Sequence, residues 1–195
     1  MKNKISGINY DLRLINDKDA NFIVNLRNDK SLNKYIHNDK LTLEDQLNWQ
    51  KEYYKRNNEY YFVVFNKLIN KKEGLISVYN YNKNVNSSEW GRWIIVNNSF
   101  AAVESVYLLY KFAFENLGLS SIYCLTINTN FKVVSFHDSC GIKNKILIKK
   151  YFKIKNKKFD AIKHTLNKKN WNKVSSYLSS ICLNLHKKNV KKTQI

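Results

Sequence analysis

The chain has 195 residues, 44% of them apolar, three cysteines, no proline and a formal charge of +19. That is enough apolar material for one substantial core, and one domain is the expected count. The opening MKNKISGINYDLR lacks the apolar stretch of a secretion signal, and no run approaches the roughly 18 apolar residues of a membrane-spanning helix, so a cytoplasmic protein is expected.

Cys124, Cys140 and Cys182 are odd in number and lack metal-site spacing, which reads as buried thiols in a reducing compartment and no metal. The charge is uneven: residues 143–195 hold 16 Lys against the single acid Asp160, whereas residues 1–142 hold 18 Lys and Arg against 14 acids. A nucleic-acid binder concentrates basic and aromatic residues in its working cleft, so this distribution argues against nucleic acid as partner. Lys, Asn and Ile are over-used while Pro is absent, which an AT-rich coding sequence produces without selection for any partner.

Along the chain, Tyr10 to Ile15 alternates as a first strand, and Asn16 or Asp17 can cap a helix carrying Ala20, Ile23, Val24 and Leu26 to Arg27 and Asn28. SLNKYIH reads as a short helical piece with Leu32, Tyr35 and Ile36 inward and His37 near its end. Thr42 with Asp45 makes a capping-box-like start to a third helix containing Gln46, Trp49 and Tyr53. Glu59 to Phe65 and Gly74 to Tyr79 are successive strands.

The stretch from Ser87 to Ile142 organises the rest. Trp93 to Val96 is a β-rich apolar run leading through a polar turn into helical spacing at Val103, Val106, Tyr107, Tyr110, Phe114 and Leu117. Gly118 suits a helix C-cap, and Ser120 to Asn128 returns as a strand with Ile122, Cys124 and Ile127. This is one βαβ crossover with its strands expected parallel and adjacent. Ile146 to Ile154 and Phe159 to Leu166 read as a closing antiparallel pair.

Trp171, Val174, Leu178, Ile181 and Leu185 then recur every three or four residues, so a helix over about 170–186 carries a narrow apolar seam. Such a seam folds back on the sheet or pairs with a second copy as a homodimer, while Lys187, Lys188, Lys191 and Lys192 offer charge to an anionic membrane surface. The expected division is an α/β domain over 1–166 and a basic amphipathic helix and tail over 167–195.

The strand ending at a polar turn, Glu104 in the first turn of the next helix, the run FAFENLGL, the strand closing on Asn, and Asn130 followed by Val133, Phe136, His137, Cys140, Gly141 and Ile142 resemble the GNAT superfamily of acyl-CoA-dependent N-acetyltransferases. The resemblance covers roughly residues 10–166 and implies a single GNAT-like α/β domain, a mixed twisted sheet flanked by helices, with acetyl-CoA as acetyl donor. It departs from the family where a Gly-rich pyrophosphate turn is expected: Asn98 and Phe100 stand in place of glycines, and Phe is a poor mimic of Gly. Residues 27–49 are similar to a branch that includes ribosomal-protein, antibiotic-resistance and nucleotide-sugar acetyltransferases, the last serving surface-glycan synthesis. Gln46, Trp49 and His137 look most like the sugar group.

The resemblance implies catalytic roles for Glu89, as acceptor of the amine proton, and for His137, at a position where the family often has a proton-donating Tyr. An imidazolium can supply that proton near neutral pH. It implies a cofactor site at Val96, the backbone of Ser99, Phe100, Ala101, Ala102 and Val103, Asn130 and His137. On the acceptor side stand Arg27, Asn28, His37, Gln46, Trp49, Tyr79, Trp90 and Arg92, with His37 as a competing base. The implied reaction is N-acetylation of a nucleotide-linked aminodeoxy sugar. A protein N-terminus or small amine as acceptor, or a non-catalytic GNAT-fold module, are the alternatives.

Overall fold

The computed structural model describes residues 4–32, 34–35, 40–154 and 156–193, the last five as backbone. SLNKYIH therefore lies partly outside the described residues, His37 included, as do the side chains of Lys191 and Lys192. Eight strands form one mixed sheet, β1 (Lys4–Ser6), β2 (Tyr10–Leu14), β3 (Tyr60–Asn66), β4 (Lys71–Asn82), β5 (Ser87–Ile95), β6 (Ser121–Ile127), β7 (Lys145–Ile154) and β8 (Lys157–Asn167). Their spatial order is β1-β2-β3-β4-β5-β6-β8-β7. Every pairing is antiparallel except β5 with β6, which the crossover through α3 (Ala101–Lys111) makes parallel.

Strict alternation in β3 splits the core between the two faces of the sheet. Phe62 and Val64 join Val106, Leu109 and Tyr110 of α3 on one face; Tyr61 and Val63 join Ile23 and Leu26 of α1 (Ala20–Asn28) and Tyr53 of α2 (Leu43–Tyr53) on the other. The capping box at α2 forms as its sequence foretells, the Thr42 hydroxyl accepting from the Asp45 N–H and the Asp45 carboxylate accepting from the Thr42 N–H at 3.0 Å. Beyond Lys111 the chain widens into a π-turn over Phe112–Asn116, closed by the Leu117 N–H to the Phe112 carbonyl at 3.0 Å. Regular helical spacing does not signal that change.

Glu104 ties α3 to the first hairpin. Buried in the first turn of the helix, where a carboxylate is favoured, it accepts from the Asn9 N–H at 2.9 Å, the Asn9 Nδ2 at 3.0 Å and the Tyr10 N–H at 3.3 Å. Gly7 is required beneath it, since a Cβ there would lie 2.3 Å from Glu104 Oε1.

At the far edge, β7 bulges between Ile148 and Phe152, with Lys150 at φ 53° and its N–H donated to the Asp160 carboxylate at 2.8 Å. α4 (Phe131–Ser139) follows β6, and α5 runs over Lys168–Thr193. Among the described residues no helix is long and apolar enough to cross a membrane.

The seam of α5 folds back on its own chain. Trp171, Val174, Leu178 and Cys182 are buried, and the Trp171 ring lies 5.5 Å from Phe114 and 6.0 Å from Tyr107. Its indole N–H donates to Glu115 at 3.2 Å, and His186 meets the Asn9 side chain at 2.7 Å. Replacing Trp171 with Ala is expected to cost about 3–5 kcal/mol, the range for emptying a large buried aromatic site. Urea titration would read it as a lower midpoint at unchanged slope. A change below about 0.5 kcal/mol would show α5 to be an appendage and not part of the core.

Candidate active site

The two parallel strands at the centre of the sheet stay together for only three residue pairs. Ser87 faces Ser121, Ser88 faces Ile122 and Glu89 faces Tyr123, after which β5 continues to Ile95 and β6 to Ile127 without pairing with each other. The departure coincides with a bulge on β5. Its register with β4 passes from Ser77 opposite Gly91 to Leu75 opposite Ile94, so one extra residue is inserted and Arg92 takes φ 47°. A bulge bends its strand and increases its twist, here away from β6. Between the parted strands lies a cleft of about 1000 Å³.

The turn at the cleft mouth answers the question of the missing glycines. Asn98 takes φ 63°, a left-handed conformation that Asn tolerates, whereas Phe100 has φ −90° and ψ 7° and so needs no glycine. The Ser99 hydroxyl accepts from the Ala101 N–H at 3.0 Å and donates to Glu73, while the Ser99 N–H bonds the Val96 carbonyl at 3.3 Å. Those two amides are thus spent inside the turn. Val96, Ser99, Ala102, Asn130 and His137 line the cleft; Phe100, Ala101 and Val103 do not, Ala101 being wholly buried. Asn130 stands at the start of α4 with its side chain making no cap hydrogen bond.

His137 requires a correction. It is 1% exposed, ringed by Trp90 at 5.2 Å, Trp93 at 6.1 Å, Phe136 at 5.5 Å and His164 at 5.1 Å, and its Nδ1 has no partner among the described residues. Burial, and then the charge of His164, push its pKa down to about 3. It is a neutral imidazole near neutral pH, not an imidazolium acid.

Glu89 occupies the last paired position before the strands part. Its Oε1 accepts from the Tyr79 hydroxyl and its Oε2 from the Asn80 Nδ2, both at 3.0 Å. Neither Glu89 nor Tyr79 is among the residues lining the cleft.

Of the acceptor-side candidates, Arg27, Trp90 and Arg92 line the cleft. Arg92 is held by an ion pair with Glu59, which Arg56 shares at 3.1 Å, and its guanidinium lies over Tyr79 at 4.5 Å and Trp49 at 5.2 Å. Besides Tyr79, three described candidates do not line the cleft: Asn28, Gln46 and Trp49. Asn28 clamps the following loop by bonding the Leu41 carbonyl at 2.8 Å and N–H at 3.0 Å. Gln46 is buried and donates to Gln50 at 2.9 Å, away from the cleft. Trp49 is stacked on Tyr53 at 5.3 Å, so that face is closed to a ligand.

Sequence reasoning missed Ser31, Lys34 and Lys132, which also line the cleft, as does Tyr35, the Tyr that the branch resemblance over residues 27–49 put on the acceptor side. Ser31 accepts from Asn97 Nδ2 on one wall, and Tyr35 donates to the Thr129 carbonyl on the other, both at 2.9 Å. Only Lys132 carried a local signal, standing two residues after Asn130 in the first turn of α4. The charged residues lining the cleft are Arg27, Lys34, Arg92 and Lys132, with no carboxylate among the described lining residues.

The parallel pair thus forks beside the first turns of α3 and α4, and comparison with known proteins gives the family. The model of the acetyltransferase (GNAT) domain matches residues 10–143. Apo FdhC, described as a nucleotide-linked sugar GNAT, is similar at 30% identity over 87% of this chain and 93% of its own, with a TM-score of 0.74. A spermidine N-acetyltransferase from Vibrio cholerae, solved with CoA and spermine, shares the fold at 21% identity over 84% of this chain and 98% of its own, with a TM-score of 0.75. Among curated proteins none matches the sequence. The chain belongs to the GNAT acetyltransferases and is an N-acetyltransferase.

The environment of His137 sets a pH dependence. The unfolded chain takes up a proton as pH falls through about 6.5, and the folded chain does not until about 3, so this residue withdraws stability progressively across that window. The slope approaches about 1.4 kcal/mol per pH unit. His137→Leu is expected to flatten the acid-side decline, read as urea midpoints from about pH 7 to 4, and the wild-type ring should keep neutral-imidazole NMR shifts at about pH 5. An imidazolium spectrum there would refute the burial argument.

Proposed function

We propose that this N-acetyltransferase transfers the acetyl group of acetyl-CoA to the amino group of a nucleotide-linked aminodeoxy sugar. The observation that carries the reading is the cleft's charge: Arg27, Lys34, Arg92 and Lys132 line it and no described carboxylate does. A polyamine would enter against four like charges, each contact costing about 1 kcal/mol at 4 Å even in water. A nucleotide diphosphate is attracted by the same groups, and guanidinium forks suit its oxygens. The likeness to FdhC, whose description names a nucleotide-linked sugar, supports this choice over the polyamine.

Acetyl-CoA fits the fork on geometric grounds. β5 beyond Glu89 presents backbone groups unpaired with β6, and an extended chain bearing amides can add there as a further strand. The first turn of α3, with Asn98 in left-handed conformation before it, suits a pyrophosphate. Asn130, lining the cleft at the start of α4, would be within reach of the cofactor's arm there. The thioester supplies an activated acetyl carbon at the apex of the fork.

Beside that apex Glu89 is the proton acceptor, held by Tyr79 and Asn80. An amino sugar suits so modest a base, because its amine should titrate nearer about 8 than a lysine's roughly 10.4.

Calorimetry should give acetyl-CoA binding tighter than about 1 mM, and a weaker constant would favour a non-catalytic module. Thiol release is expected with UDP- or dTDP-linked 3-amino or 4-amino deoxysugars and not with spermidine or lysine peptides. Arg27→Ala should raise KM for the nucleotide sugar about 10- to 100-fold, the loss of a charge-assisted contact, with acetyl-CoA affinity nearly unchanged. Turnover of spermidine or peptide N-termini alone would replace this reading.

A further inference from the structure

Glu89 is the carboxylate nearest the apex of the fork along β5, yet it does not line the cleft. Its Oε1 accepts from the Tyr79 hydroxyl at 3.0 Å. Gly91 does line the cleft, and a Cβ on it would come within 2.7 Å of that same hydroxyl oxygen. The absence of a side chain at residue 91 is therefore what lets the phenol approach the cleft floor. Arg92, stacked over the Tyr79 ring at 4.5 Å and ion-paired to Glu59, keeps the ring in place.

We propose that Tyr79 is the proton shuttle of acetyl transfer, passing the amine proton to Glu89 and returning it to the sulfur through the gap left by Gly91. This rests on the acetyl-transfer reading above and not on which amine is the acceptor. The amine lone pair forms the N–C bond at the thioester carbon. The proton on nitrogen moves to the Tyr79 oxygen as the Tyr79 proton moves to Glu89 Oε1. When the C–S bond breaks, sulfur leaves with the electron pair, Tyr79 donates to it, and Glu89 restores the phenol. Amine and thioester become amide and thiol, and both residues end as they began.

The shuttle also supplies the acid that His137, buried and neutral, does not. The Tyr79 phenol is raised above its ordinary pKa, first by burial and then by the Glu89 charge, so it stays protonated between turnovers.

The test is thiol release from acetyl-CoA using whichever acceptor wild type turns over fastest among nucleotide-linked amino sugars, polyamines, peptides and water. Tyr79→Phe and Glu89→Gln are each expected to lower kcat about 10²-fold, the scale of a positioned proton-transfer group, with acetyl-CoA affinity by calorimetry within about threefold of wild type. The double variant should lose no more than either single one, because both interrupt one line of transfer. In mixed light and heavy water, wild type should show the curved rate dependence of two protons in flight, and Tyr79→Phe should lose it. A full Tyr79 effect on a polyamine would support the shuttle while overturning the nucleotide-sugar reading. Tyr79→Phe within threefold of wild type, additive losses in the double variant, a linear wild-type dependence, or no turnover of any acceptor would each overturn the shuttle.

Discussion

Everything at the centre of this protein depends on the brevity of one pairing. β5 and β6 are brought side by side by the α3 crossover and stay joined from Ser87 to Glu89 only. Had the pairing continued to Ile95, the backbone groups of both strands would satisfy each other and no cleft would exist. The one-residue bulge at Arg92 turns β5 aside while β4 still holds it through Ile94 and Ile95. The sheet is thus opened from within, and the first turns of α3 and α4 are delivered to the two rims of the opening.

The same bulge determines what faces what. It sends Arg92 among the rings of Trp49, Tyr61 and Tyr79, where Glu59 completes its surroundings. Tyr61, wholly buried there, has its phenol raised by burial while the nearby charges of Arg27 and Arg92 act in the other direction. Aromatic residues of β3 and α2 thereby support a cationic floor instead of offering stacking faces to a ligand.

Much of this frame was legible along the chain because local chemistry agreed with it. The period-two alternation of β3, the Thr42 and Asp45 capping box, the crossover through α3 and the spacing from Asn130 to Gly141 each correspond to a backbone event that neighbouring residues decide. What stayed hidden depends on contacts between distant residues. The fork follows from a bulge that no glycine or proline marks, since Arg92 occupies the positive φ itself. His137 carries the residue type of a proton donor, but Trp90, Trp93 and His164 arrive from β5 and β8 to bury it. Gln46 and Trp49 lie on α2 with spacing suited to a cleft, and the helix turns them toward Gln50 and Tyr53 instead.

The charge that reads along the sequence as a property of the tail has a different meaning at the sheet edge. β7 exposes Ile146, Leu147 and Tyr151 along an outer strand, the kind of border that recruits a matching strand from another molecule. Lys145, Lys149, Lys150 and Lys153 are spaced along it, Lys157 and Lys158 follow at the start of β8, and the bulge at Lys150 breaks its straightness. Copies approaching edge to edge would bring these ammonium groups against one another. The colloidal behaviour of the protein is therefore tied to ionic strength: once screening shortens to about 8 Å near physiological salt, the apolar border is guarded mainly by its kink.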